Sequence, residues 1–162
     1  MSAQMIELYR IRMADLLRRA RLAMEQLSDE EINWRPNELS NSIANLVIHL
    51  EGNLQHFVEA RVGGAESRRN RDAEFNSREF MTRAQAVERL SAAVERADAV
   101  LARLAPERLG ELSELNGRQV SHLELLLIIT VHLGEHVGQI LYIAKALRGE
   151  GYQVVLNPHR RA

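Results

Sequence analysis

The chain has 162 residues, 46% of them hydrophobic and 27% charged, with a formal net charge of -1; this describes one soluble globular domain, residues 1–162, with a core of its own. A balance so close to neutral gives no electrostatic case for a nucleic-acid partner. The absence of cysteine excludes disulfides, thiolate metal ligands and a cysteine nucleophile, and it suits a reducing, cytoplasmic setting.

The opening residues lack a basic stretch followed by an apolar one, so no secretory signal is expected in them. From about residue 3 to 27, Ile6, Tyr9, Met13, Leu16, Leu17, Ala20, Met24 and Leu27 recur on one side, which predicts a first long helix. Ser28-Asp29-Glu30-Glu31 is a capping box that opens a short extra turn. The run Asn33-Trp34-Arg35-Pro36-Asn37 then interrupts the helical pattern.

A second helix is predicted from Asn41 or Ser42, with Ile43, Leu46, Val47, Leu50, Leu54 and Phe57 as its stripe and Gly63-Gly64 as its stop. Residues 65–81 read as a long polar loop, in which Arg68, Arg69 and Arg71 stand beside Asp72 and Glu74. Loops of that length in compact domains are commonly functional or disordered. Thr82-Arg83-Ala84-Gln85 is another capping box; it opens a helix through Val87, Leu90, Val94, Ala97, Leu101 and Leu104 that Pro106 closes.

In the following link, Asn116-Gly117 is a tight-turn pair with short alternating flanks. Ser121 caps the last major helix, which runs to about Arg148 and is apolar nearly all round between 123 and 133, as befits the most buried of the set. Its longest apolar stretch falls short of the ~20 residues a membrane span needs, so no membrane partner is expected. A tail from Tyr152 to Ala162 has little periodicity. Four long amphipathic helices, without a strand pattern of substance, predict an all-α four-helix bundle.

His132 and His136 lie four apart in the last helix, on the face that Leu125, Ile128, Ile129, Gln139, Ile140 and Ile143 extend. That spacing stacks two imidazoles one turn apart, close enough to share an ion. Composition alone gives about 0.2 such pairs in a chain with six histidines, so the pair leaves two readings open, metal ligands or core histidines with ordinary partners. Catalytic zinc sites use three protein ligands. His49, at the edge of the second helix's stripe and flanked by Asn45 and Asn53 at minus and plus four, is the best third candidate. His56 lies about 10.5 Å further along that helix, and His122 about 15 Å before His132. With His159 in the tail, these three are expected at the surface or in a supporting role.

Trp34-Arg35-Pro36, the run Asn41-Ser42-Ile43-Ala44-Asn45-Leu46 leading to His49 and Asn53, and His132-Leu133-Gly134-Glu135-His136-Val137-Gly138-Gln139-Ile140 resemble the DinB-like family in order and spacing over nearly the whole chain. Asn70-Arg71-Asp72-Ala73-Glu74-Phe75 points further to an uncharacterised subgroup of it. The resemblance implies a four-helix bundle, frequently dimeric, with a divalent metal held by His49, His132 and His136. It also implies, for some members, transfer of low-molecular-weight thiols such as bacillithiol, mycothiol or glutathione to electrophiles. The family usually carries a basic residue after the second ligand; here it is Val137.

Three-histidine sites accept zinc, nickel, iron and manganese with differing affinity, zinc or nickel being the expected ion here. Three neutral imidazoles with open positions leave the ion its full charge, and such an ion lowers the pKa of bound water toward ~7 or deprotonates a bound thiol. The first chemistry makes a metallohydrolase and the second a thiol-dependent S-transferase, for which a chain without cysteine takes its thiol from a cosubstrate. A non-catalytic, metal-binding dimeric module is a further reading. Glu74 and Asn53 are the candidate catalytic groups, with Asp72 beside them, and Glu74 and Phe75 are expected to line or close the substrate pocket. Glu51 and Glu135 adjoin ligands in sequence and so point about 100° away; they are expected between helices or in solvent. His132-Leu133-Gly134-Glu135-His136 also fits an H-x-x-E-H peptidase pattern, but that needs a carboxylate well downstream and only Glu150 follows. The resemblance, together with apolar residues on more than one side of the first and last helices, predicts a homodimer. The expected small-molecule substrate is an electrophile held between the bundle's open end and the 65–81 loop.

Overall fold

The computed structural model describes residues 2–155. Its helices are α1 (Ser2–Met24), α2 (Asp29–Asn33), α3 (Ile43–Leu54), α4 (Arg71–Asn76), α5 (Arg83–Leu101) and α6 (His122–Arg148). The apolar stripes decide how these pack: α1 lies against α5 and α6, and α3 lies against the same two. Among the described residues the fold is all-α apart from one small hairpin, and one continuous core runs from Ile6 through Met24, Leu50 and Leu90 to Ile140.

Long-range contacts fix the directions. The Tyr9 hydroxyl donates to the Leu123 carbonyl and the Gln26 amide to that of Gln153, so α1 and α6 run parallel. Arg89 with Glu51 and Arg96 with Glu59 set α5 parallel to the chain of α3. Arg10 with Asp98 at one end, and Arg83 with the Leu27 carbonyl at the other, make α1 and α5 antiparallel. Because α3 and α5 point the same way, the segment between them must return along the whole bundle. That topology is why the 65–81 segment is long.

Local signals place the ends. Ser28 with Glu31 and Thr82 with Gln85 form the reciprocal capping boxes expected of them, and Ser42 with Asn45 forms another. Ser121 accepts from the Glu124 amide at the start of α6. Three features depart from the sequence expectation. Residues Gln55–Val62 continue α3 as a π-helix rather than an α-helix. The return segment is not wholly irregular but contains α4, started by the Asn70 side chain accepting from the Ala73 amide. And the α5–α6 link is a hairpin, β1 (Leu112–Leu115) with β2 (Arg118–Ser121), in antiparallel register from Leu112 opposite Ser121 to Leu115 opposite Arg118. Its turn is Asn116-Gly117, with φ of 51° and 84°, the conformation for which that pair is favoured.

By length and composition α6 is apolar enough to cross a membrane, a signal its shorter uninterrupted stretch had not given. The core helix of a bundle shares that composition, and α6 packs on α1 and α3 while carrying His132, Glu135 and His136.

Candidate metal centre

His49 from the middle of α3 meets His132 and His136 from the middle of α6. Their ring centroids are 4.4 to 5.0 Å apart in all three pairings, with the planes nearly perpendicular. Candidate ligand atoms of the three lie within 4.8 Å of one another. The His49 Nε2 and His132 Nε2 atoms are 2.8 Å apart. Two nitrogens on a tetrahedral zinc sit roughly 3.3 Å apart, from Zn–N bonds of about 2.0–2.1 Å, so small ring movements bring this set to ligating geometry. His56 is not in the group; it bonds to Ser67 instead. His122 is not either, and it is buried rather than at the surface. His159 lies outside the described residues.

The far side of two of the rings is held by a hydrogen bond. His49 Nδ1–H donates to Glu74 Oε2 at 2.8 Å, which leaves Nε2 as the lone-pair nitrogen facing α6. His136 Nδ1 bonds Gln139 Oε1 at 2.8 Å, three residues on. His132 Nδ1 stands 3.8 Å from the solvent-facing Glu135 carboxylate. Glu74 in turn accepts two bonds from Arg69, at 2.7 and 2.9 Å, and is 2% exposed. An imidazole oriented by a buried carboxylate is the arrangement that metal-ligating histidines favour.

Charge follows from this packing. Burial, then the nearby His136 and His49, bring His132 down to about 4. Burial also lowers His49, against the opposing pull of its Glu74 bond. Burial by itself would raise Glu74, but bonds from Arg69 and His49 more than offset it and the carboxyl stays below its ordinary range. At neutral pH His49 and His132 are therefore neutral imidazoles beside an ionised Glu74 carboxylate, the protonation state that a cation needs.

Residues 1–161 match the family described as "Protein of unknown function (DUF1572)". The chain belongs to that family. Its fold is that of a DinB-like protein of Bacillus subtilis known from a 2.30 Å crystal structure: the TM-score is 0.70, with 95% of this chain and 99% of that one covered at 19% identity. No curated protein matches the chain.

Of the other sequence candidates in this DUF1572 chain, Asn53 is buried one turn beyond His49 and faces a cavity of about 510 Å³ beside the triad. Glu74 and Phe75 do not line it. Both lie behind His49, the Phe75 ring 4.9 Å from the imidazole, because α4 crosses the outer side of α3. Asp72 is exposed. Glu51 joins α3 to α5 through Arg89, as its position suggests, and Glu135 faces solvent. Sequence alone assigned Arg69, Gln139 and Gly52 no role at the site. A Cβ on Gly52 would collide with the Glu74 carboxylate, so the close approach of α4 to α3 needs glycine there. Gln139, three residues after His136, was within reach of a helical-spacing argument; Arg69 and Gly52 had no local signal.

Proposed function

We propose that this protein binds one divalent metal ion, zinc or nickel, through His49, His132 and His136, and uses it to activate a small-molecule nucleophile. The observation that carries this reading is the convergence of three imidazoles, two of them with their outer nitrogens tied back, and with no fourth protein ligand grouped with them among the described residues. A structural zinc site closes its coordination with four ligands, whereas three leave a position for a substrate. When bound, such an ion lowers the pKa of a water or thiol it holds.

The chain's own groups have defined parts. Arg69 keeps Glu74 ionised, Glu74 fixes the His49 tautomer, and Gln139 does the same for His136. Glu74 is thus a positioning residue rather than an acid or base, and Asn53, open to the cavity, is the group poised to touch a substrate. The finer reading is thiol-dependent S-transfer: a cosubstrate thiol loses its proton to solvent, its sulfur bonds to an electrophilic carbon, and the leaving group departs with its bonding pair. We extend the proposal to a cytoplasmic homodimer using exposed apolar residues such as Leu8 and Ile11, each 57% exposed; light scattering at micromolar concentration should give twice the monomer mass.

Metal analysis of freshly purified protein should find about one zinc or nickel per chain, and much less in His49→Ala. The loaded protein should then couple glutathione or bacillithiol to monochlorobimane. Metal-dependent hydrolysis of an ester with no thiol turnover would make it a metallohydrolase, and metal binding with neither activity a non-catalytic module.

A further inference from the structure

The cavity beside the triad is lined by His49, His132 and Asn53 together with Phe57, Leu115, Leu127, Ile128 and Val131, so its lining is mostly apolar. Three polar side chains in the lining bond to no other described residue: Asn53, Arg71 and the turn residue Asn116. Asn53 is the buried one, 5% exposed, and its amide atoms are not sealed from the cavity, so a ligand or water there can complete them. Arg71, the first residue of α4, lines the same cavity and also makes no hydrogen bond or ion pair among the described residues. Its neighbour Arg69 is spent on Glu74. The one carboxylate in the lining, Glu135, has 66% of its side chain exposed, so water screens it.

We propose that this cavity is the substrate site for a small anionic amphiphile: a carboxylate or like oxyanion received by Arg71 and the Asn53 amide, on an apolar body that lies along Leu115, Leu127 and Val131. A volume of about 510 Å³ falls in the range of small-molecule pockets. The guanidinium supplies paired donors suited to a carboxylate, and the amide supplies a directed one. The apolar wall spans the α6 turns before His132 and the end of β1, so the hairpin forms part of the specificity surface. This deepens the metal reading, which adds a positive ion to the same cavity, but Arg71 and Asn53 belong to the metal-free chain as well.

Octanoate is a suitable probe, titrated by calorimetry into metal-free and zinc-loaded protein, with acetate and octanol as the head-only and tail-only controls. Octanoate should bind both forms, and both controls should bind about tenfold or more weakly than octanoate. Arg71→Gln, at an exposed position where the fold is not at stake, and Asn53→Ala should each weaken octanoate about tenfold, with circular dichroism unchanged. Octanoate binding that is the same in Arg71→Gln as in the parent protein, or matched by octanol, would overturn the proposal. Failure of zinc to bind, with octanoate still sensitive to Arg71, would sink the metal reading alone; normal zinc binding without any octanoate binding would sink this inference alone.

Discussion

His49 and His122 occupy comparable surroundings and have different prospects. Both are buried, both are held below their ordinary pKa first by burial, and both have a carboxylate near Nδ1. Around His49 the carboxylate is Glu74, buried and 2.8 Å away, and the free nitrogen faces two more imidazoles. Around His122 the carboxylate is Glu111, half exposed and 3.9 Å away; Nε2 meets the Ser113 hydroxyl at 3.0 Å, and Nδ1 is buried without a hydrogen bond. Burial and a lowered pKa therefore do not distinguish a ligand from a packing residue. What distinguishes them is whether the second nitrogen converges with other donors on a point open to a cavity.

The strongest way to break that contrast is to remove each ring. His49→Ala, His132→Ala or His136→Ala should weaken zinc by at least about 100-fold in a chelator-competition titration. His122→Ala should leave zinc affinity unchanged but lower unfolding stability by about 1–3 kcal/mol, from the lost Ser113 bond and the hole left behind. Equal zinc losses at His49 and His122 would erase the distinction.

The supporting carboxylate comes next. Glu74→Gln should weaken zinc about 10–100-fold, and Gly52→Ala should approach the same loss, since its Cβ would displace the carboxylate. Glu111→Gln should not affect zinc.

Acid sharpens the comparison further. A histidine with a depressed folded pKa stays neutral in the fold while the unfolded chain takes up a proton, so stability falls as pH drops below the ordinary 6.5. His132, held at about 4, contributes a loss of up to about 3 kcal/mol across that window. Glu74, shifted down, acts later: its stabilisation persists above its ordinary 4.5 and is lost below it. Melting of the metal-free protein should thus decline steadily from pH 7 to 4. His132→Gln should flatten the curve, and His122→Asn should flatten it without changing zinc affinity at pH 7.

The smallest effect tests the hairpin that presents Ser113 to His122. Gly117→Ala, at φ 84°, should cost about 1 kcal/mol by melting and leave zinc binding intact.

Most of the framework was legible in the sequence because its causes are local. Apolar residues recurring every three or four positions marked α1, α3, α5 and α6; hydroxyls ahead of a Glu or Gln marked helix starts; Asn116-Gly117 marked a turn. Its four-residue flanks were too short to announce strands. The pair His132 and His136 was visible for the same reason, since one helical turn brings them together whatever else the chain does. The surroundings were decided only in three dimensions. His49 meets His132 across 83 residues and Glu74 across 25, and nothing local says that α4 will cross α3 at Gly52, that Arg69 rather than Arg71 will take the carboxylate, or that His122 will be buried. A lone polar residue in a return segment looks solvated in sequence because burial depends on which helix it crosses. That crossing was set by the parallel run of α3 and α5, a consequence of how all the apolar stripes pack at once.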